Sequence, residues 1–140
     1  MSAEHFLDTN VLIYMFDETD ARKRAQAETL VSESLASGTG CISFQVVQET
    51  LNVLIRRLGV GPGDARRVLD DLLVPLWHVN PTTELYQTSI SLQDRYGFSF
   101  YDSLIVAGAL EAGCSRLYSE DLQHGQTMQQ MTIWNPFTAQ

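Results

Sequence analysis

The sequence is poor in cysteine, in lysine and in long apolar runs, and each shortage closes off a class of protein. Two cysteines in 140 residues, Cys41 and Cys114, make no disulfide framework, and no CxxC pair supplies the spacing of a zinc site. Both are expected to be small buried apolar residues. The longest apolar stretches, such as Val11 to Phe16 and Leu104 to Leu110, fall far short of the ~20 residues that span a bilayer. The few residues ahead of Asp8 leave no space for a basic and then an apolar leader, so a cytoplasmic protein away from the membrane is expected. P-loop, GxGxxG and serine nucleophile-elbow motifs are missing, which removes the common nucleotide-binding and hydrolase classes. Positive charge is scarce too: 9 Lys and Arg against 17 Asp and Glu give a formal net charge of -8. That balance argues against nucleic acid, because phosphate binding relies on Lys and Arg to release counterions. The objection weakens on inspection. The cations are bunched as Arg22-Lys23-Arg24, Arg56-Arg57 and Arg66-Arg67, and local potential rather than net charge steers a polyanion. Part of the negative total can also belong to a carboxylate site that a divalent ion offsets.

What is present is an ordinary globular chain, 44% hydrophobic and 19% charged, long enough for one domain over residues 1–140. His5 to Leu7 is a short apolar run that stops at Asp8, followed by a turn and a helix. Asp20 to Leu35 repeats apolar residues at helical spacing and meets stop signals at Ser37 to Gly40. Cys41 to Ser43 predicts a second strand. Val47, Leu51, Leu54, Ile55 and Leu58 form an amphipathic stripe that the glycines between 59 and 63 break. Asp64 to Leu73 predicts a helix, Leu76 to Val79 a strand, and Thr82 to Tyr96 a helix closed by Gly97. Asp102 opens the most apolar helix, Ser103 to Ala112; Arg116 to Tyr118 and Thr132 to Trp134 supply the last strands. Alternating strands and helices with short, non-alternating strands predict an α/β fold with a central parallel sheet of about five strands between helical layers. Ligands of such sheets lie beyond the carboxyl ends of the strands.

Acidic residues fall at those ends. Asp8 follows the first strand, and Asp8-Thr9-Asn10 offers more polar side chains than one helix cap needs. The surplus predicts Asp8 as a ligand, with Thr9 and Asn10 holding it by hydrogen bonds. Asp121 follows the strand at Tyr118. Asp102 sits among apolar neighbours, Phe98 to Tyr101 and Leu104 to Ala107, where an unpaired carboxylate is costly; it can be a ligand, a helix cap or both. The aromatics beside it suit a core better than a base-stacking platform. Glu49 shares a helix face with Gln45 and alone would pass for solvated surface. Carboxylates crowded in one crevice resist ionisation unless a cation intervenes, and hard oxygen donors select Mg²⁺ or Mn²⁺. Such a centre suits hydrolysis of a phosphodiester by in-line displacement.

The segments "FLDTNVLIY", "SFQVVQETLNVL", "FSFYDSLIVAGALEAGC" and "LYSEDLQHG", in this order over nearly the whole chain, resemble the PIN-domain nucleases, especially the VapC-type toxins of prokaryotic toxin–antitoxin pairs. The resemblance implies a PIN-like three-layer α/β/α fold. It implies that Asp8, Glu49, Asp102 and Asp121 bind the metal and catalyse, with Asn10 and Ser119 steadying the site and the role of Glu120 open. It also implies a homodimer, a structured or single-stranded RNA substrate such as tRNA, rRNA or mRNA, and an antitoxin protein whose tail occupies the site.

His5, His78 and His124 are scattered and are not expected to bind metal; His78, within a strand, is expected to be buried, and His124 to lie near enough to Asp121 to meet a phosphate. Arg56 and Arg57 are the best RNA contacts among the basic doublets. Two alternatives stand beside the endoribonuclease. One is a catalytically silent module that only binds RNA or protein. The other is a phosphatase of the haloacid dehalogenase type, which needs a second Asp where this chain has Asn10.

Overall fold

The structure is a computed structural model that describes residues 3–138. Its first strand, β1 (His5–Leu7), buries Phe6 and Leu7 completely and stops where the charge of Asp8 begins. Asp8 caps α1 (Thr9–Tyr14), and Asp20 caps α2 (Ala21–Ser37) by accepting from the Lys23 N–H. Gly38, left-handed at φ 70°, ends α2, and β2 (Gly40–Ser43) returns to the sheet. Gly40 has no room for a side chain: a Cβ there would lie 2.7 Å from the Ser34 Cβ and 2.9 Å from Leu76.

From β2 the chain enters α3 (Phe44–Arg56) without a loop. The helix at Asp64 begins with Pro62 and is longer than its sequence pattern. α4 (Pro62–Val68) passes through a π-helical turn (Leu69–Leu73) into α5 (Val74–Leu76). The wider turn accommodates Pro75, which has no N–H to give a regular helix. β3 (Trp77–Val79), α6 (Thr83–Tyr96) and α7 (Phe100–Glu111) follow, then β4 (Arg116–Tyr118), β5 (Thr127–Met128) and β6 (Met131–Trp134).

The sheet order is β3-β2-β1-β4-β6-β5. All neighbours are parallel except the β5–β6 hairpin. The α/β/α layering predicted from the sequence is present, with six strands rather than about five. The extra strand, β5, spans two residues, too few to leave an alternating pattern. From β1 the chain first builds outward through β2 to β3, then crosses back to place β4 on the other side of β1. The reversal makes the carboxyl ends of β1, β2 and β4 a topological switch point, where open α/β sheets leave a crevice.

Three expectations about burial fail. Ile55 and Leu58, the last members of the α3 stripe, are exposed, because the helix outruns the sheet it packs on. His78 is exposed, since β3 is an edge strand with few neighbours on one face. Asp102 is partly exposed, because its apolar neighbours point elsewhere: Leu104 to Ala109 go into the core and Tyr101 into solvent. Cys41 and Cys114 are buried and free. Among the described residues no helix is long and apolar enough to cross a membrane.

Candidate active site

The four carboxylates singled out in the sequence line one crevice of about 520 Å³ at the switch point. Asp8 arrives from the end of β1, Glu49 from the second turn of α3, Asp102 from the first turn of α7 and Asp121 from the loop after β4. Gln45, Thr9 and Asn10 line it as well, with Tyr14, Asp17, Asn52, Arg57, Tyr101 and Glu120 around them.

Asp8 is the deepest of the four, buried where the others reach solvent. Its N–H donates to the Tyr118 carbonyl at 2.9 Å, tying the β1 end to β4. One carboxylate oxygen accepts from the Thr9 N–H at 2.7 Å and the other from the Ser119 hydroxyl at 2.7 Å. Burial nevertheless pushes its carboxyl up from 3.8 to about 6; those two hydrogen bonds oppose the shift, and the charges of Glu49 and Asp121 add to it. The Ser119 oxygen also accepts from the N–H groups of Asp121 and Leu122, at 3.3 and 3.4 Å.

Thr9 and Asn10 do not hold the Asp8 side chain with theirs. The Thr9 hydroxyl donates to Glu49 at 2.8 Å, and the Asn10 amide donates to Asp121 at 3.0 Å while its oxygen accepts from the Glu120 N–H at 3.2 Å. One three-residue turn thus orients three acids: Asp8 directly, and two from distant segments through its neighbours. The cap reading of Asp102 also falls. The Ser99 hydroxyl accepts from the Asp102 N–H at 3.1 Å, so Ser99 starts α7 three residues earlier than the sequence suggested. The Asp102 carboxylate is left free of that duty. The Gln45 amide donates to the Tyr101 carbonyl at 3.1 Å, which pins the start of α7 to α3, so that Asp102 and Glu49 line the same crevice.

Glu120 has a partner the sequence did not reveal. It accepts from the Tyr14 hydroxyl at 2.6 Å and forms an ion pair with Lys23, whose ammonium lies 4.9 Å from the centre of the Tyr14 ring. Only the fact that Lys23 is the sole lysine could have drawn notice. Two of the three cations on α2 are therefore paired within the protein, since Arg24 also pairs with Glu28 at 2.9 Å, while Arg22 is exposed. Of the two arginines at the end of α3, Arg57 lines the crevice and Arg56 does not. Asp17 faces Arg57 with its carboxyl held below the usual range by the Thr19 hydroxyl and N–H. His124 does not reach the crevice. Its Nδ1 accepts from the Asn135 N–H at 2.9 Å, and its ring meets Trp134 edge-on at 4.7 Å.

A buried acid at the end of the central strand, three more around it and the chain reversal beside it form one arrangement, and the sequence matches the PIN domain model over residues 5–127. The chain belongs to the PIN domain family. Several solved structures share its fold. VapC20 of Mycobacterium tuberculosis, described as a toxin that cleaves the sarcin–ricin loop, is 24% identical and superposes with a TM-score of 0.62 over 84% of this chain and 90% of that one. A toxin–antitoxin complex from Klebsiella pneumoniae contains a chain 18% identical, with a TM-score of 0.70 over 99% and 100%. FitAcB from Neisseria gonorrhoeae is 18% identical, with a TM-score of 0.63 over 96% and 99%. No curated protein matches the sequence.

The PIN crevice offers only oxygen donors and negative charge at its base. Among the described residues, no group of three or more His, Cys, Asp and Glu side chains is placed to hold a metal ion. The donors are of the kind that suits a hard divalent ion, which keeps several waters and takes a few carboxylates; the Asp8 carboxyl is raised chiefly by its burial, with the charges of Glu49 and Asp121 adding least.

Proposed function

We propose that this PIN domain is a divalent-metal-dependent endoribonuclease, and that it is the toxin of a toxin–antitoxin pair. The observation that carries the reading is the convergence of Asp8, Glu49, Asp102 and Asp121 on one crevice, with Asp8 kept from easy ionisation by burial and by its acidic neighbours. A cluster of this kind costs the fold stability unless a cation repays it. The toxin assignment draws on the shared fold with VapC20 and with the Klebsiella toxin–antitoxin complex, which supports an antitoxin as partner; a second copy of this chain is proposed from the family resemblance alone.

Asp8, Glu49, Asp102 and Asp121 would hold Mg²⁺ or Mn²⁺. The ion supplies charge compensation for the phosphodiester and lowers the pKa of water in the crevice. The chain's own residues do the rest. Ser119 and the Thr9 N–H fix both oxygens of Asp8, the Thr9 hydroxyl fixes Glu49, and Asn10 fixes Asp121, so little side-chain freedom is lost when substrate arrives. Arg57 at the rim attracts the phosphate backbone that the acids would otherwise repel. A water oxygen attacks phosphorus in line with the leaving ribose oxygen. The new P–O bond forms as the old one breaks, a crevice carboxylate takes the proton that the water sheds, and the leaving oxygen is protonated in turn. The products are a linear phosphate monoester and a hydroxyl.

The test is a panel of RNAs incubated with the protein and Mg²⁺ or Mn²⁺. Cleavage that yields linear phosphate ends and stops in EDTA is expected. Cleavage that persists in EDTA, or ends that are 2′,3′-cyclic phosphates, would contradict the reading. RNA retention without a cut at any metal concentration would make the domain a binding module, and turnover of small phosphate esters alone would make it a phosphatase.

A further inference from the structure

Tyr101 is the most exposed large hydrophobic side chain among the described residues, at 66%, and of the exposed large hydrophobics it is the only one that lines the acidic crevice. An isolated exposed aromatic elsewhere on the surface would call for no explanation. Its position does. The ring leaves the first turn of α7 one residue before Asp102, and the backbone beneath it is fixed by the Gln45 amide on its carbonyl. Phe100 packs against the core and presents its ring edge-on to Tyr101 at 5.4 Å, so the pair has one anchored ring and one offered to solvent. Asn52, Val53 and Arg57 from α3 and its end complete the lining, with a donor and a cation for the sugar–phosphate chain.

We propose that Tyr101 is the residue of the crevice on which a base of the RNA stacks, beside the phosphate to be cut. The inference rests on the nuclease reading and adds a substrate-positioning residue to that site. A base held in an A-form duplex has both π faces covered by its neighbours and cannot reach a protein ring, whereas a base in a single strand, loop or bulge can swing out and stack. Stacking on Tyr101 would bring the neighbouring phosphate toward Asp102, because both side chains line the same crevice. The phosphate chain would then run toward Arg57. The crevice, at about 520 Å³, has the size of clefts that take small organic molecules, not a duplex.

The experiment compares one oligoribonucleotide, single-stranded and annealed to its complement, as substrate for wild type, Tyr101→Ala and Tyr101→Phe at fixed salt and Mg²⁺. The proposal expects the single strand to be cut at least tenfold more efficiently by wild type. Tyr101→Ala raises KM for the single strand about tenfold or more while kcat stays within about twofold, and Tyr101→Phe recovers most of that loss because the ring remains. Binding of the labelled single strand in the Asp102→Asn background, read by fluorescence anisotropy, gives the same ranking without turnover. Equal KM and equal binding for wild type and Tyr101→Ala overturn the proposal, as does a preference for the duplex. Unchanged RNA parameters with altered sedimentation of Tyr101→Ala overturn it too, by making the ring a protein contact. A wild-type protein that cuts no RNA would defeat the nuclease reading instead, and the anisotropy arm would still decide whether Tyr101 stacks on a base.

Discussion

The Ser119 hydroxyl donates to the buried Asp8 carboxylate at 2.7 Å, so that a residue from the far half of the chain holds the acid at the end of the first strand. Ser119→Ala leaves one oxygen of a buried acid unpartnered. A loss of about 1–3 kcal/mol is expected in urea denaturation at pH 7.5. The same change removes a bond that favours the charged form, so the acid limb of any pH–rate profile should move to higher pH. An unmoved limb would show that Asp8 does not govern it.

Asp8 itself should be a source of instability in the absence of metal. Its carboxyl is raised from 3.8 to about 6, so the folded state binds the proton more tightly than the unfolded one. The stability this contributes is complete below about pH 4 and is lost as pH rises through 6, leaving a net cost at neutral pH. Asp8→Asn removes the charge and keeps an oxygen for the cap. Thermal melts in EDTA should therefore show the variant more stable than wild type by about 2 kcal/mol at pH 7.5, from a shift of roughly two pKa units discounted for the altered hydrogen bonds. The gain should vanish by pH 4. Added Mn²⁺ should raise the melting temperature of wild type and not of Asp8→Asn.

Asn10 is used at both ends, as donor to Asp121 and as acceptor from the Glu120 N–H. Asn10→Asp would set a carboxylate against a carboxylate while keeping the acceptor. Cleavage should fall at least tenfold with the melting temperature nearly unchanged, because the fault lies in the exposed acid Asp121 and not in the core. Phosphatase activity appearing in Asn10→Asp would count against the nuclease assignment.

Glu120 and Asp121 are neighbours with different work. The Lys23 pair and the Tyr14 hydroxyl occupy Glu120, so Glu120→Gln should keep most of the cleavage activity, while Asp121→Asn should lose it. Both Lys23 and Glu120 are partly exposed, and a double-mutant cycle for stability should give a coupling below about 1 kcal/mol. Equal losses of cleavage in the two acid variants would place Glu120 in the centre as well.

The order of elements was legible because apolar runs and helical stripes are local signals, and Asp8 and Asp121 could be placed at strand ends from those runs. The start of α7 was misread, since the Ser99 cap works through one hydroxyl and leaves no apolar pattern. The burial of Asp102 was misjudged for a related reason: composition around a residue does not say which way its neighbours face, and here they turn to the core and to solvent. Pairings between distant segments, Thr9 with Glu49, Asn10 with Asp121 and Lys23 with Glu120, depend on the sheet order, which no local pattern encodes. Glu49 joins the crevice for that reason, although its helix face alone would pass for solvated surface.

The most direct measurement is cleavage of a single RNA in Mg²⁺ by wild type and by Asp8→Asn, Glu49→Gln, Asp102→Asn and Asp121→Asn, each checked for folding by circular dichroism. The four-carboxylate centre predicts that every folded variant loses at least a hundredfold in kcat/KM and that Glu120→Gln, run beside them, does not. A wild-type rate in any one of the four folded variants would contradict it.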